Sequence, residues 1–205
     1  MKNNRMKNAA YVLLGGVVIM MTMMTSDVSA KDSGRVLITY FSRAGENYNV
    51  GHLKVGNTEV MAGYIHERLP GSDIFKIEPV VPYPDKYDEC TAVAKKEQRE
   101  NARPAVRTHI TDINKYDVIY IGYPIWWGTM PQIMLTFLEE YNLSGKTIIP
   151  FCTNEGSGFG SSLNDLKKKC SKSKFLDGLA VRGSDVKKAQ KEVNAWIDKT
   201  MKAVK

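Results

Sequence analysis

Two kinds of hydrophobic pattern alternate along this chain. Residues 35–41, 117–122 and 146–152 are short apolar runs rich in β-branched and aromatic side chains, and they read as buried strands. Residues 73–78 alternate apolar with polar and read as another strand, and a weaker fifth lies at 178–182. Between these runs the apolar residues recur at helical spacing. Val60, Met61, Tyr64, Ile65 and Leu69 predict a helix over 57–69, stopped by Pro70-Gly71. A charged, alanine-containing stretch predicts an exposed helix over 85–102, ended by Pro104. Pro131 opens a helix carrying Ile133, Met134, Phe137 and Leu138. A short helix follows over 160–170. Ser184-Asp185 cap a last amphipathic helix reaching about residue 203, with Val186, Ala189, Val193, Ile197 and Met201 facing inward. Strands alternating with helices predict an α/β fold, a doubly wound five-stranded parallel sheet in one domain over residues 31–205. Ligands of such sheets bind outside the carboxyl ends of the strands, where strand order reverses. The loops after the first, third and fourth strands are therefore the ones to inspect.

The first thirty residues follow another pattern. Lys2, Arg5 and Lys7 form a basic start, residues 9–25 carry no charge, and Val28-Ser29-Ala30 offers compact residues at a cleavage point. This predicts a signal peptide over 1–30 and an exported protein, periplasmic or extracellular. The uncharged run of 17 residues is also at the short limit for a membrane span, so an uncleaved anchor over 9–25 stays open. Only then does the chain contact a membrane. No cysteine near the cleavage point offers a lipid anchor, and no Arg-Arg pair points to export in the folded state.

Charge narrows the partners only a little. The chain carries 29 basic and 22 acidic groups, +7, and the part from Lys31 onward carries +5. That excess suits a lysine-rich surface or small anionic ligands. No zinc finger, basic zipper or RNP pattern accompanies it, so nucleic acid is not an expected partner. Cys90, Cys152 and Cys170 form no CxxC, and His52, His66 and His109 are scattered, so no metal site is expected and buried free thiols are.

The candidate chemistry sits in the three loops. The first runs from Ser42-Arg43-Ala44 through a spacer to Asn57-Thr58, where the next helix begins. Hydroxyls, tight backbone and a helix N-terminus suit a phosphate group. The loop is neither GxGxxG nor GxxxxGK[ST], which excludes the usual dinucleotide and Walker readings. The second loop holds Pro124, Ile125, Trp126, Trp127 and Gly128. Adjacent tryptophans at a strand end can stack on a flat ring, with one indole packing inward and the other facing the ligand. The third loop holds Thr153, Glu155, Gly156, Ser157 and Gly158, and its glycines leave amides free to donate to a polar ring edge.

Read together as YFSRAGEN…GNTEVMA, GYPIWWGTMP and FCTNEGSGFGSS, these loops resemble the flavodoxin superfamily over nearly all of the chain from Lys31. The resemblance implies a sheet of strand order 2-1-3-4-5 and FMN as cofactor. It implies phosphate binding by Ser42, Arg43, Ala44, Asn57 and Thr58. It implies a ring flanked by residues 124–128 on one side, with Thr153, Glu155, Gly156, Ser157 and Gly158 at its pyrimidine end. The fifth strand reads as uninterrupted, which resembles the short-chain type. Two departures stand out. Ala44 replaces the family's usual threonine, removing a hydroxyl that Arg43 or Lys54 would have to replace. Phe159 is the one aromatic residue of the third loop, where many carriers place a tyrosine on the ring.

Three functions follow from the resemblance. One is an electron-transferring flavoprotein that serves a redox partner protein or a small acceptor. Another is an FMN-dependent NAD(P)H:quinone-type oxidoreductase. The third is a binding protein that has lost tight FMN binding. In the two redox readings no catalytic side chain is required, because the flavin carries the chemistry. The positive charge balance predicts a flavin less reducing than in acidic carriers.

Overall fold

In the computed structural model, which describes residues 35–204, strand positions alternate between two apolar faces. In chain order the elements are β1 (Val36–Tyr40), β2 (Gly45–Asn47), β3 (Gly51–Leu53), α1 (Asn57–Arg68), β4 (Asp73–Lys76) and α2 (Tyr87–Glu100). There follow β5 (Val118–Pro124), α3 (Gln132–Glu140), β6 (Thr147–Asn154), α4 (Ser162–Lys169), β7 (Lys174–Phe175), β8 (Leu179–Arg182) and α5 (Gln190–Val204). The signal peptide or anchor expected over 1–30 lies outside the described residues. Among the described residues no helix is long and apolar enough to cross a membrane.

The main sheet is parallel and ordered β4-β1-β5-β6, with β7 and β8 together in the last position beside β6. Counted by strand position this is the expected 2-1-3-4-5. Ile38, Tyr120, Ile149 and Phe151 point to one face, where α1 and α5 supply Met61, Ile65, Val193 and Ile197. Leu37, Ile119, Ile121 and Ile148 point to the other, beneath Ile133, Met134 and Phe137 of α3 and Leu166 of α4. Strands covered on both faces lose their polar face, so they appear in sequence as continuous apolar runs.

Two features of the sheet differ from expectation. The fifth strand is interrupted between Phe175 and Leu179. On β6, Ile148 pairs with Phe175 and Phe151 with Leu179, so three steps on β6 are met by four on its neighbour. The cause is Pro150. Lys146 and Ile148 accept hydrogen bonds from Lys174 and Leu176, and Pro150 is next in that register without an N–H to give. The edge strand bulges there and resumes as β8. The spacer after β1 is also no plain loop, because β2 and β3 pair as an antiparallel hairpin.

The helices fall close to their predicted places. Asn101, in left-handed conformation, ends α2 three residues before Pro104. The last helix starts later than its predicted cap, after a 3-10 turn at Val186–Lys188. All three cysteines are buried free thiols. Burial pushes Cys152 up to about 12 and Cys170 up to about 11.

Gly122 of β5 lies against the Phe151 ring, and a Cβ there would come within 2.1 Å of it. Gly122→Ala is expected to cost about 1–3 kcal/mol, read as a lower urea midpoint; an unshifted midpoint would show that the two strands can move apart. Glu139 receives Arg103 through two hydrogen bonds of 2.7 and 2.9 Å and also pairs with Lys169. These partners hold its carboxyl down to about 2. A depressed carboxyl stabilises the fold above its unfolded value and loses that contribution as pH falls through its folded value. Stability should therefore decline from about pH 4.5 toward pH 2, and Glu139→Gln should flatten that part of the profile in acid unfolding.

Candidate functional site

The carboxyl ends of β1, β5 and β6 open into a cleft of about 290 Å³. Its floor is set where β1 ends and α1 begins. Ser42 is buried, and its Oγ accepts the Glu59 N–H at 3.1 Å. Gly56, at the N-cap, has no side chain for that task. It must be glycine, because a Cβ there would lie 2.2 Å from Ser42 Oγ and 2.5 Å from the Arg43 carbonyl oxygen. The Val60 N–H closes on the Gly56 carbonyl. The first two amides of α1, on Asn57 and Thr58, then have no acceptor among the described residues. The Ser42 hydroxyl proton is likewise free to donate. The Thr58 and Thr153 hydroxyls share a buried hydrogen bond of 2.8 Å, which ties the first loop to the third.

Arg43 is turned away from this donor group. Its Nε–H donates to Cys90 Sγ at 3.1 Å, and its terminal N–H groups reach the carbonyls of Ala44, Glu46 and Asp85. These are five contacts for five N–H groups. The guanidinium therefore fixes the hairpin against the segment before α2. It cannot also replace a hydroxyl missing at Ala44. Lys54 is exposed and does not line the cleft, so it does not replace that hydroxyl either. Burial pushes the Cys90 thiol up, and the Arg43 charge offsets part of that.

The second loop is a tight turn. Trp126 and Thr129 exchange backbone hydrogen bonds of 2.8 and 3.2 Å, and the central residues Trp127 and Gly128 have φ of 50° and 81°. This is type I′ geometry, unusual for a bulky residue and costing of order 1–3 kcal/mol. Contacts with α2 hold Trp127 there. Its Nε1–H donates to the Thr91 carbonyl at 3.0 Å, its own carbonyl accepts from Gln98, and the Lys95 ammonium sits 4.6 Å from its ring centroid. Trp126 packs edge-on against Phe41 and Tyr83, with centroids 5.4 and 4.9 Å away. One indole thus packs and the other stays 51% exposed, yet both line the cleft.

The third loop is organised by Asn154, a residue that sequence reasoning passed over. Its Oδ1 accepts the N–H groups of Gly156 and Gly158 at 2.8 and 3.1 Å, and its amide donates to the Val181 carbonyl. The glycine amides are therefore not the free donors expected. The loop amides without an acceptor among the described residues are those of Glu155, Ser157 and Phe159, and of these residues Glu155 and Ser157 line the cleft. Phe159 packs into the core beneath the loop, away from the cleft.

Of the fifteen residues singled out, twelve line the cleft: Ser42, Arg43, Asn57, Thr58, Thr153, Glu155 and Ser157, together with all five from Pro124 to Gly128. Ala44, Gly156 and Gly158 do not. The lining residues missed lie on the hairpin, on α2, at Asn154 and at Gly183, where a Cβ would lie 2.4 Å from Asn57 Nδ2. Among the described residues no group of histidine, cysteine or carboxylate side chains is placed to hold a metal.

A family profile described as flavodoxin matches residues 35–200. Among curated proteins nothing matches. Among solved structures, the chain is similar to a protein of Bacteroides eggerthii, provisionally described as a flavoprotein. The two are 31% identical over 80% of this chain and 96% of that one, with a TM-score of 0.65. A similarly described protein of Bacteroides uniformis is 26% identical over 81% and 99%, also with a TM-score of 0.65. A flavoprotein of Lactobacillus acidophilus in complex with FMN is 22% identical over 76% and 97%, with a TM-score of 0.59, and is evidence for the fold alone.

Ser42→Ala removes the acceptor that caps α1. It is expected to cost about 1 kcal/mol in urea unfolding; unchanged stability would show that water caps the Glu59 amide equally well.

Proposed function

The chain belongs to the flavodoxin family, and from that premise we propose that it is an FMN-binding redox protein that transfers electrons through a non-covalently held flavin. One observation carries this reading. The two free amides of α1 and the free proton of Ser42 share a cleft with two tryptophans and the free amides of Glu155 and Ser157. That donor set fits a ligand with a phosphate at one end and a flat polar ring at the other.

Bound FMN supplies one- and two-electron redox chemistry. Ser42, Asn57 and Thr58 hold the phosphate with neutral donors, and the dipole of α1 favours its charge. Ala44 gives nothing to it. Trp126 and Trp127 flank the ring and exclude water, and the amides of Glu155 and Ser157 serve its polar edge. The flavin meets charges different from those of the whole surface, because the charged side chains lining the cleft are Arg43 and Glu155, one of each sign. The basic start and the apolar run over residues 9–25 support export, and with it a redox partner outside the cytoplasm.

Titration of the purified protein with FMN is expected to give one flavin per chain, near or below about micromolar, with flavin fluorescence quenched. Ser42→Ala should weaken binding at least about tenfold, since a hydrogen bond to a charged group is lost. Absence of binding at tens of micromolar, on the order of −6 to −7 kcal/mol, would favour a fold kept for another ligand.

A further inference from the structure

The three loops wall only part of the cleft. Most of the rest is built by Asn47, Tyr48 and Val50 of the hairpin and by Tyr87, Cys90, Thr91 and Ala94 on α2. Tyr48 and Tyr87 face each other with centroids 6.0 Å apart and planes 31° from parallel, and Trp127 stands at the same rim. These rings are 57%, 37% and 51% exposed, although buried apolar sites are plentiful elsewhere in the fold.

The wall is fixed in place. Beyond the Arg43 bonds, the Glu46 N–H donates to the Asp85 carbonyl at 2.9 Å and the Tyr87 N–H donates to Glu46 Oε2 at 3.2 Å. His52 pairs with the Asp85 carboxylate at 3.2 Å. A wall tied at this many points is a preformed surface, and a ligand need not order it.

Its electrostatics select the ligand. Two charged side chains line the cleft. Every N–H of Arg43 is committed, and the Glu155 carboxylate has no partner among the described residues. Beyond the α1 amides, a second phosphate-bearing ligand would meet an unpaired carboxylate and no cation with a free N–H among the lining residues; the Lys95 ammonium lies outside the lining, over the Trp127 ring. Aromatic faces favour a flat ring in offset or tilted stacking.

We propose that this wall is a second subsite, which binds a small, flat, uncharged conjugated-ring compound against Tyr48 and Tyr87, at the rim that Trp127 shares with the flavin site, and disfavours nicotinamide dinucleotides. The subsite rests on the FMN reading for its redox meaning, as the place where a small redox partner meets the flavin.

The test is calorimetric titration of the FMN-loaded protein with duroquinone, whose ring is fully substituted and so is not open to addition by the Cys90 thiol. One saturable site per chain is expected. The double variant Tyr48→Ala with Tyr87→Ala should weaken it about tenfold, while the FMN Kd moves by much less. Tyr48→Phe with Tyr87→Phe should restore most of the affinity, because the rings and not the hydroxyls do the binding. NADPH should show no saturable site over the same range. The proposal is overturned if duroquinone shows no saturable binding, if the double alanine variant binds it equally well, or if NADPH binds as tightly. It is also overturned if duroquinone displaces FMN, which would make these rings part of the flavin pocket. A chain that takes no FMN sinks the cofactor reading alone. Tyrosine-dependent duroquinone binding to that chain would still support the subsite, and its absence would overturn it.

Discussion

The structure depends on the pairing of β1, β5 and β6 as parallel strands buried on both faces. Parallel neighbours cannot be joined by a tight turn, so each connection must cross the sheet as a helix. The chain runs outward from β1 to β4 on one side and from β5 to β6 and β8 on the other. The connections leaving β1 and β5 therefore part company above the sheet. The crevice between them is a consequence of topology and needs no side chain to open it. What the sequence adds is the lining: a helix start with free amides, a strained tryptophan turn and an asparagine-centred loop.

The same burial explains what could be read in advance. Strands apolar on both faces stand out as short runs such as Val36–Tyr40 and Val118–Pro124, and the helices between them marked the sheet as parallel, while the strand order came from the family resemblance. The three site loops were legible because paired tryptophans and clustered glycines at strand ends are uncommon. Short-range structure was harder. The hairpin strands have three residues each, too few for a period-two pattern to emerge. The break in the edge strand did have a signal, Pro150, but its effect depends on which neighbour its missing N–H faces, and that is known only once register is fixed.

Roles were less legible than positions. Arg43 sits at the phosphate loop by sequence and reads there as a phosphate ligand, yet its donors point across to the hairpin and α2. Gly156 and Gly158 read as donors of free amides, yet Asn154 takes both. In each case a residue type suited to binding a ligand binds the chain itself. Only three-dimensional accounting of every N–H separates the two uses. The α2 wall was hidden for a related reason: Tyr87, Thr91 and Ala94 follow a helical spacing that also describes an ordinary surface helix.

The three buried thiols bear on how the chain matures. Disulfide exchange proceeds through a thiolate, and burial keeps Cys152 and Cys170 protonated far above neutral pH, with Cys90 shifted the same way. A folded chain of this kind has the same covalent structure in a reducing cytosol and in an oxidising envelope. No disulfide forms among the three, and folding takes Cys152 and Cys170 out of reach of oxidants, while Cys90 stays at the wall of the cleft. The described part of the chain therefore reaches the same thiol state whether it folds under reducing or oxidising conditions.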